Sequence, residues 1–95
     1  MRVSVRLPPA LASQAGGVSR LEYEMADDGA TVADVLSALA ADHPGVGRRV
    51  RDERLEVRRH VNVFVGGDNI RDLDGQATRL ADAVEVTILA AVSGG

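Results

Sequence analysis

A chain of 95 residues, 45% apolar and 26% charged, has room for one hydrophobic core and is too apolar to remain disordered. Its formal charge of −3, with one Tyr, one Phe and no Trp, argues against general nucleic-acid binding, which needs many phosphate contacts and stacking surfaces. With no Cys there is no disulfide, thiolate metal site or thiol nucleophile, and with no Lys all eleven cationic side chains are Arg.

The chain opens on Val3, Val5 and Leu7 alternating with Arg2, Ser4 and Arg6, the period-two pattern of a half-buried strand, and Pro8-Pro9 ends it. Residues 10–17 read as a loop with room for one helical turn over Ala10-Leu11-Ala12. Leu21, Tyr23 and Met25 then alternate with Arg20, Glu22 and Glu24, so the first two strands are expected to form an antiparallel hairpin. Asp27-Asp28-Gly29 breaks the second strand. Thr31 has the character of a helix N-cap, with Asp34 three residues on to complete a capping box. Val32, Val35, Leu36 and Leu39 form one apolar stripe at helical spacing, each contributing roughly 1.5–3 kcal/mol on burial before entropy is subtracted. Asp42-His43-Pro44-Gly45 stops the helix.

Residues 46–59 are strongly charged and weakly patterned, and read as a short irregular helix followed by a surface loop. A strand is predicted over residues 60–65, a turn over Gly66-Gly67-Asp68-Asn69, and a short strand at Ile70-Arg71 pairing back. Residues 73–80 read as a loop anchored by Leu73, Ala77 and Leu80. The last strand is predicted over residues 84–89. This order gives an α+β chain, a mixed sheet of four to five strands with one main helix packed across it. That is the β-grasp, or ubiquitin-like, arrangement. Residues 1–89 form the domain and 90–95 a flexible tail ending in Gly-Gly. In this arrangement the last strand lies centrally, parallel to the first.

No enzyme constellation is visible. A serine nucleophile needs a neighbouring base, and Ser4, Ser13, Ser19, Ser37 and Ser93 have no His close by in sequence. His43 and His60 lack the carboxylate spacing of a metal site, so no metal is expected. Gly66-Gly67 reads as a hairpin turn, since it lacks the strand–glycine–helix context of a phosphate cradle. The segment Arg48–Arg59 holds six Arg against three acids and is either a solvated loop or a docking patch for an acidic partner. Strand parity turns Phe64 and Leu89 to the open side of the sheet, an apolar patch for a partner near the tail. No run approaches the ~20 apolar residues that span a bilayer, and the N-terminus alternates instead of forming an apolar signal segment, so the expected address is cytoplasmic.

The tail Ala90-Ala91-Val92-Ser93-Gly94-Gly95 follows an apolar strand and ends on two residues without side chains. One reading is a frayed end; the other is an arm carrying a working α-carboxylate. A terminal carboxyl, with a pKa of roughly 3.3–3.7, is ionised near neutrality and is a poor acyl donor, so it needs activation, most simply as an acyl-adenylate. A channel leading to a buried ATP site favours residues without Cβ atoms, and six extended residues span at most about 20 Å.

The segments Arg59-His60-Val61-Asn62-Val63-Phe64-Val65, Asp68-Asn69-Ile70-Arg71, Leu73-Asp74-Gly75-Gln76-Ala77-Thr78 and Val86-Thr87-Ile88-Leu89-Ala90-Ala91-Val92-Ser93-Gly94-Gly95 resemble the ubiquitin-like sulfur carriers of the MoaD/ThiS family, of the MoaD or CysO type. The resemblance implies a carrier, not an enzyme, with no bound cofactor. An adenylating enzyme of the MoeB/ThiF type uses ATP to activate Gly95, which then becomes a thiocarboxylate, while Gly94 gives clearance. Phe64, Leu89, Val92 and Ser93 are the expected partner-binding residues. The sulfur would pass to a MoaE-like large subunit in molybdopterin synthesis, with this chain as the small subunit of molybdopterin synthase, or to a cysteine synthase. Neither nucleic acid nor membrane is an expected partner. Two positions depart from the family pattern. Asp82-Ala83-Val84 stands where Asp-Gly-Asp is usual, and Ala90 stands where Pro is common. The alternatives are a ubiquitin-like modifier attached through its terminal glycine and a plain β-grasp interaction domain.

Overall fold

The computed structural model describes residues 1–90, and the expected site residues Val92, Ser93, Gly94 and Gly95 lie outside the described residues. The first strand, β1 (Arg2–Arg6), pairs antiparallel with β2 (Arg20–Glu24), Val3 opposite Tyr23 and Val5 opposite Leu21, as the two alternations require. Between them Pro9–Ala12 forms α1, followed by a 3-10 turn over Ser13–Ala15. This connection is more ordered than the expected loop, because Leu11, Ala12 and Ala15 are buried in the core and Pro9, at the first helical position, presets the first turn.

The main helix, α2 (Val32–Asp42), starts on the expected capping box. Thr31 Oγ1 accepts from the Asp34 amide at 3.3 Å, and the Asp34 carboxylate accepts from the Thr31 amide at 2.9 Å. Its stripe of Val32, Val35, Leu36 and Leu39 is buried in one cluster with the inward faces of the strands. The charged stretch after it is better ordered than its composition predicts. Pro44 stops α2 but serves as the first residue of a second helix, α3 (Pro44–Val50), which buries Val46, Gly47 and Val50. The two helices touch at Gly47, where a Cβ would lie 2.5 Å from Ala40 Cβ and 2.8 Å from Ala40 Cα. Only glycine permits that approach.

The third strand, β3 (Val61–Val65), begins one residue later than expected, leaving His60 in the preceding turn. Gly66 takes φ +61° in the turn to β4 (Asp68–Asn69). The short returning strand is therefore Asp68–Asn69, and the expected Ile70-Arg71 strand is instead a 3-10 turn over Ile70–Asp72. Asn69 Oδ1 accepts from the Arg71 amide at 2.9 Å and curls the chain, sending Ile70 into the core. The expected anchors Leu73 and Ala77 are exposed. Thr78 is buried in their place, its carbonyl accepting from the Val32 amide and its hydroxyl from the Asp74 amide, while Leu80 is half-buried.

The last strand, β5 (Glu85–Ala90), lies between β1, to which it is parallel, and β3, to which it is antiparallel, giving the order β2-β1-β5-β3-β4. The strand reaches Ala90, opposite Val61, and so takes in the first residue expected in the tail. Val3, Val5, Val61, Val63, Val86 and Ile88 all point inward and are fully buried, while the reverse face carries the charged and polar residues of β1 and β2.

The turn into β5 is held to β1, since the Ala83 amide donates to the Arg2 carbonyl at 2.9 Å and Asp82 Oδ1 accepts from the Arg2 amide. Ala83 has φ +63°, the left-handed conformation that glycine adopts freely. A Cβ there costs roughly 1–2 kcal/mol, against about 0.4–1 kcal/mol for the extra freedom glycine gives the unfolded chain. Ala83→Gly is therefore expected to stabilise the domain by about 0.5–1 kcal/mol, and thermal denaturation should show a melting temperature higher by a few degrees. A lower one would mean that the turn is not strained.

Candidate functional site

The site begins where β5 leaves the sheet. Val86 and Ile88 face the core, so Thr87 and Leu89 face the open side. Thr87 is opposite Phe64 and Leu89 opposite Asn62, which brings Phe64 and Leu89 to diagonal positions on one face. Leu89 is 47% exposed and Phe64 half-buried, so the parity expected from the sequence holds. The Gly66 amide donates to the Glu85 carbonyl, and the alternation of an antiparallel ladder then puts Phe64–Thr87 and Asn62–Leu89 at hydrogen-bonded positions.

The edge of β3 beyond β4 would expose unpaired carbonyls. Arg71 occupies it. Its Nη1 donates to Asn62 Oδ1 at 2.6 Å, and its Nη2 donates to the carbonyls of Val61 at 2.9 Å, Arg58 at 3.3 Å and Arg59 at 3.4 Å. Asn69 Nδ2 adds a 3.3 Å bond to the same Asn62 oxygen. One guanidinium thus fixes the strand that holds the last residues of β5. In the sequence Arg71 is expected in a short strand and in the Asp68-Asn69-Ile70-Arg71 motif; its bracing role depends on the Asn69 cap, which turns it back toward β3.

The Arg48–Arg59 segment divides into parts with different roles. Arg51 is buried, 6% exposed, and donates to Gln76 Oε1 and Ser37 Oγ; burial lowers its pKa from the ordinary arginine value. Asp52 organises the loop that follows by accepting from the amides of Arg54 at 2.8 Å and Glu56 at 3.0 Å. The Glu56 amide is the largest cause holding its carboxyl below the usual range. Gln76 Nε2 ties the loop to the rest of the domain through the Leu55 carbonyl. Arg48, Arg49 and Arg58 instead line an open cleft of about 510 Å³ with Ala10, Leu11, His60 and Ala90. His43 lies 3.4 Å from the Asp42 carboxylate, which also accepts from the Tyr23 hydroxyl at 2.8 Å. The Tyr23 hydroxyl is pushed well above its ordinary pKa, first by burial and then by that bond. Among the described residues no cluster of three His, Asp or Glu side chains could hold a metal, and no serine hydrogen-bonds to a histidine. No described helix is long and apolar enough to cross a membrane.

A sheet in the order 2-1-5-3-4, crossed by one main helix and ending on its central strand, carries no catalytic cluster among its described residues; what sets the chain apart is the strand from which its end departs. The model of the ThiS family matches residues 5–95. The chain belongs to that family. This ThiS-family protein is 35% identical over 97 residues to the sulfur carrier protein CysO of Mycobacterium tuberculosis, with all of both chains covered. The crystal structure of that protein superposes with a TM-score of 0.81 at 34% identity, over 95% of this chain and 99% of the other. A second relative, small archaeal modifier protein 3 of Haloferax volcanii, is 42% identical over 73 residues, 77% of this chain and 78% of its own. The structure of a BexX/CysO complex from Amycolatopsis orientalis also matches, with a TM-score of 0.81 and 30% identity over 98% of this chain and 99% of that one. The ubiquitin-like β-grasp expected from the order of elements is thus the fold of the family, and the relatives are small carrier or modifier proteins.

Lysine at position 71 would keep the charge but lose the planar fork that serves four acceptors. Arg71→Lys is expected to cost about 1–2 kcal/mol, since each net bond to a charged donor contributes roughly 1.5–3 kcal/mol when buried and less at a partly exposed edge. A thermal melt coinciding with the parent's would show that charge alone suffices there.

Proposed function

We propose that this ThiS-family chain carries sulfur on its C-terminal carboxyl. The observation that carries the proposal is the position of the Gly94-Gly95 end: it follows the central strand of a domain whose described residues hold no other reactive constellation. Full-length similarity to a sulfur carrier supports it. In the first step a Gly95 carboxylate oxygen attacks the α-phosphorus of ATP, releasing pyrophosphate and leaving an acyl-adenylate. In the second, hydrosulfide supplied by a sulfur donor attacks the carbonyl carbon and expels AMP, and loss of its proton leaves the thiocarboxylate. The adenylating enzyme of the MoeB/ThiF type holds the ATP, and the carrier binds no cofactor of its own. Gly94 keeps the backbone narrow beside the reacting carbonyl. Phe64 and Leu89 form the docking patch beside the departing strand, with Val92 and Ser93 lining the arm. Of the two receivers, a cysteine synthase has more support than a MoaE-like subunit, because the full-length relative is a CysO. That a CysO forms a complex with another protein, BexX, supports delivery by direct docking.

The second reading, a protein modifier, is favoured by the identity to an archaeal modifier protein. The same activated glycine would then form an isopeptide bond to a lysine of another protein. Chains of this protein linked through its own side chains are excluded by its lack of Lys.

Co-expression with the host's adenylating enzyme and a sulfur source, followed by intact-mass measurement, separates the readings. The carrier gains the mass difference between one sulfur and one oxygen, and deletion of Gly95 abolishes the gain. Lysine-linked adducts without that gain would favour the modifier, and an unchanged mass with every adenylating enzyme of the host would falsify both.

A further inference from the structure

The cleft of about 510 Å³ lies at the point where β5 ends, with Ala90 in its wall. Its other walls come from α1 (Ala10), α3 (Arg48 and Arg49) and the turn before β3 (Arg58 and His60). Two of the three guanidinium groups are anchored on backbone carbonyls: Arg49 Nη1 donates to the Gly45 carbonyl at 3.1 Å, and Arg58 Nε to the Arg48 carbonyl at 2.9 Å. Among the described residues none of the three forms an ion pair. Asp52 is held by the amides of Arg54 and Glu56; the Arg58 charge helps keep its carboxyl below the usual range, although the two form no ion pair. In a chain of net charge −3, three arginines without an ion pair among the described residues line the cleft at the root of the tail. The five residues beyond Ala90 reach at most about 17 Å when extended, so a protein that takes the terminal carboxyl into a channel must bring the mouth of that channel within that reach of Ala90, in the wall of this cleft.

We infer that the Arg48–Arg49–Arg58 cleft is the seat for an acidic protein segment at the mouth of the channel that takes the tail, on the adenylating enzyme. The inference rests on the sulfur-carrier reading and adds to it where the partner touches and with what chemistry. Opposite charges on the two surfaces speed encounter and fix the approach of the tail, so the interaction weakens with salt. Arg51 has no part in it, because its charge is buried elsewhere.

ATP–pyrophosphate exchange by the host's adenylating enzyme, measured against carrier concentration, tests this. The double substitution R48E/R49E should raise the half-saturating concentration about tenfold. The parent's half-saturating concentration should also climb between about 50 and 300 mM salt while that of the variant changes little. R20E/R54E makes the same change in net charge at exposed positions away from the cleft and should behave as the parent. Acidic residues oppose the dipole at the end of α3, so R48Q/R49Q guards against a folding defect; it should melt with the parent and still raise the half-saturating concentration. Equal shifts for the cleft and control variants, or none for either cleft variant, would overturn the seat while leaving the carrier reading intact. No exchange with the parent protein would overturn both.

Discussion

A last strand that pairs in parallel with the first obliges the chain between them to cross over the sheet, because parallel neighbours cannot be joined by a tight turn. Here β1 and β5 are those neighbours, with Val5 opposite Val86 at the centre. The crossover is α2, whose stripe covers the inward valines of both strands. The hairpin partner of β1 and the antiparallel β3 then fall on either side. With both edges of β5 paired, the end of the chain departs from the middle of the sheet. The core that results is made of Val, Leu, Ile and Ala, with Phe64 and Tyr23 kept out of its fully buried part.

The same constraint separates the domain's work from the chemistry. Arg71 fastens the outer edge of β3 through Asn62 and three carbonyls, β3 fastens β5, and β5 ends beside Leu89 and the basic cleft. Those contacts fix the strand that precedes the tail. The arginines of the charged segment fill unlike roles for the same reason: Arg51 braces α2 against the Gly75–Ala77 turn, while Arg48, Arg49 and Arg58 face solvent at the root of the tail.

Much of this was legible in the residues. Clean alternation in β1, β2 and β5 and the Thr31–Asp34 capping box are local signals, and local signals suffice where one face is buried and the other wet. The parity that turned Phe64 and Leu89 outward followed from the same period. What was not legible depended on contacts between distant segments. The helix α3 looks irregular because Gly47 and the arginines break its pattern, yet Gly47 is there to let α3 approach Ala40. Ile70 is expected in a short returning strand, but the Asn69 side chain curls the chain there and Ile70 enters the core. Leu73 and Ala77 were apolar without being buried, and Thr78 was polar and buried because its hydroxyl and carbonyl both find partners. The arginine cleft joins residues from four segments and has no signature in any one of them.

Order is maintained to the end of β5, and the reactive group proposed for this chain lies beyond it. Amide hydrogen exchange at Ile88 and Leu89 tests this most directly. Both amides should be protected in the same slow class as those of Val5 and Val86, since β3 stays paired with β5 as far as Ala90. Exchange as fast as that of an exposed loop would contradict it, because the tail would then begin well inside the strand and the domain would not present it from a fixed point.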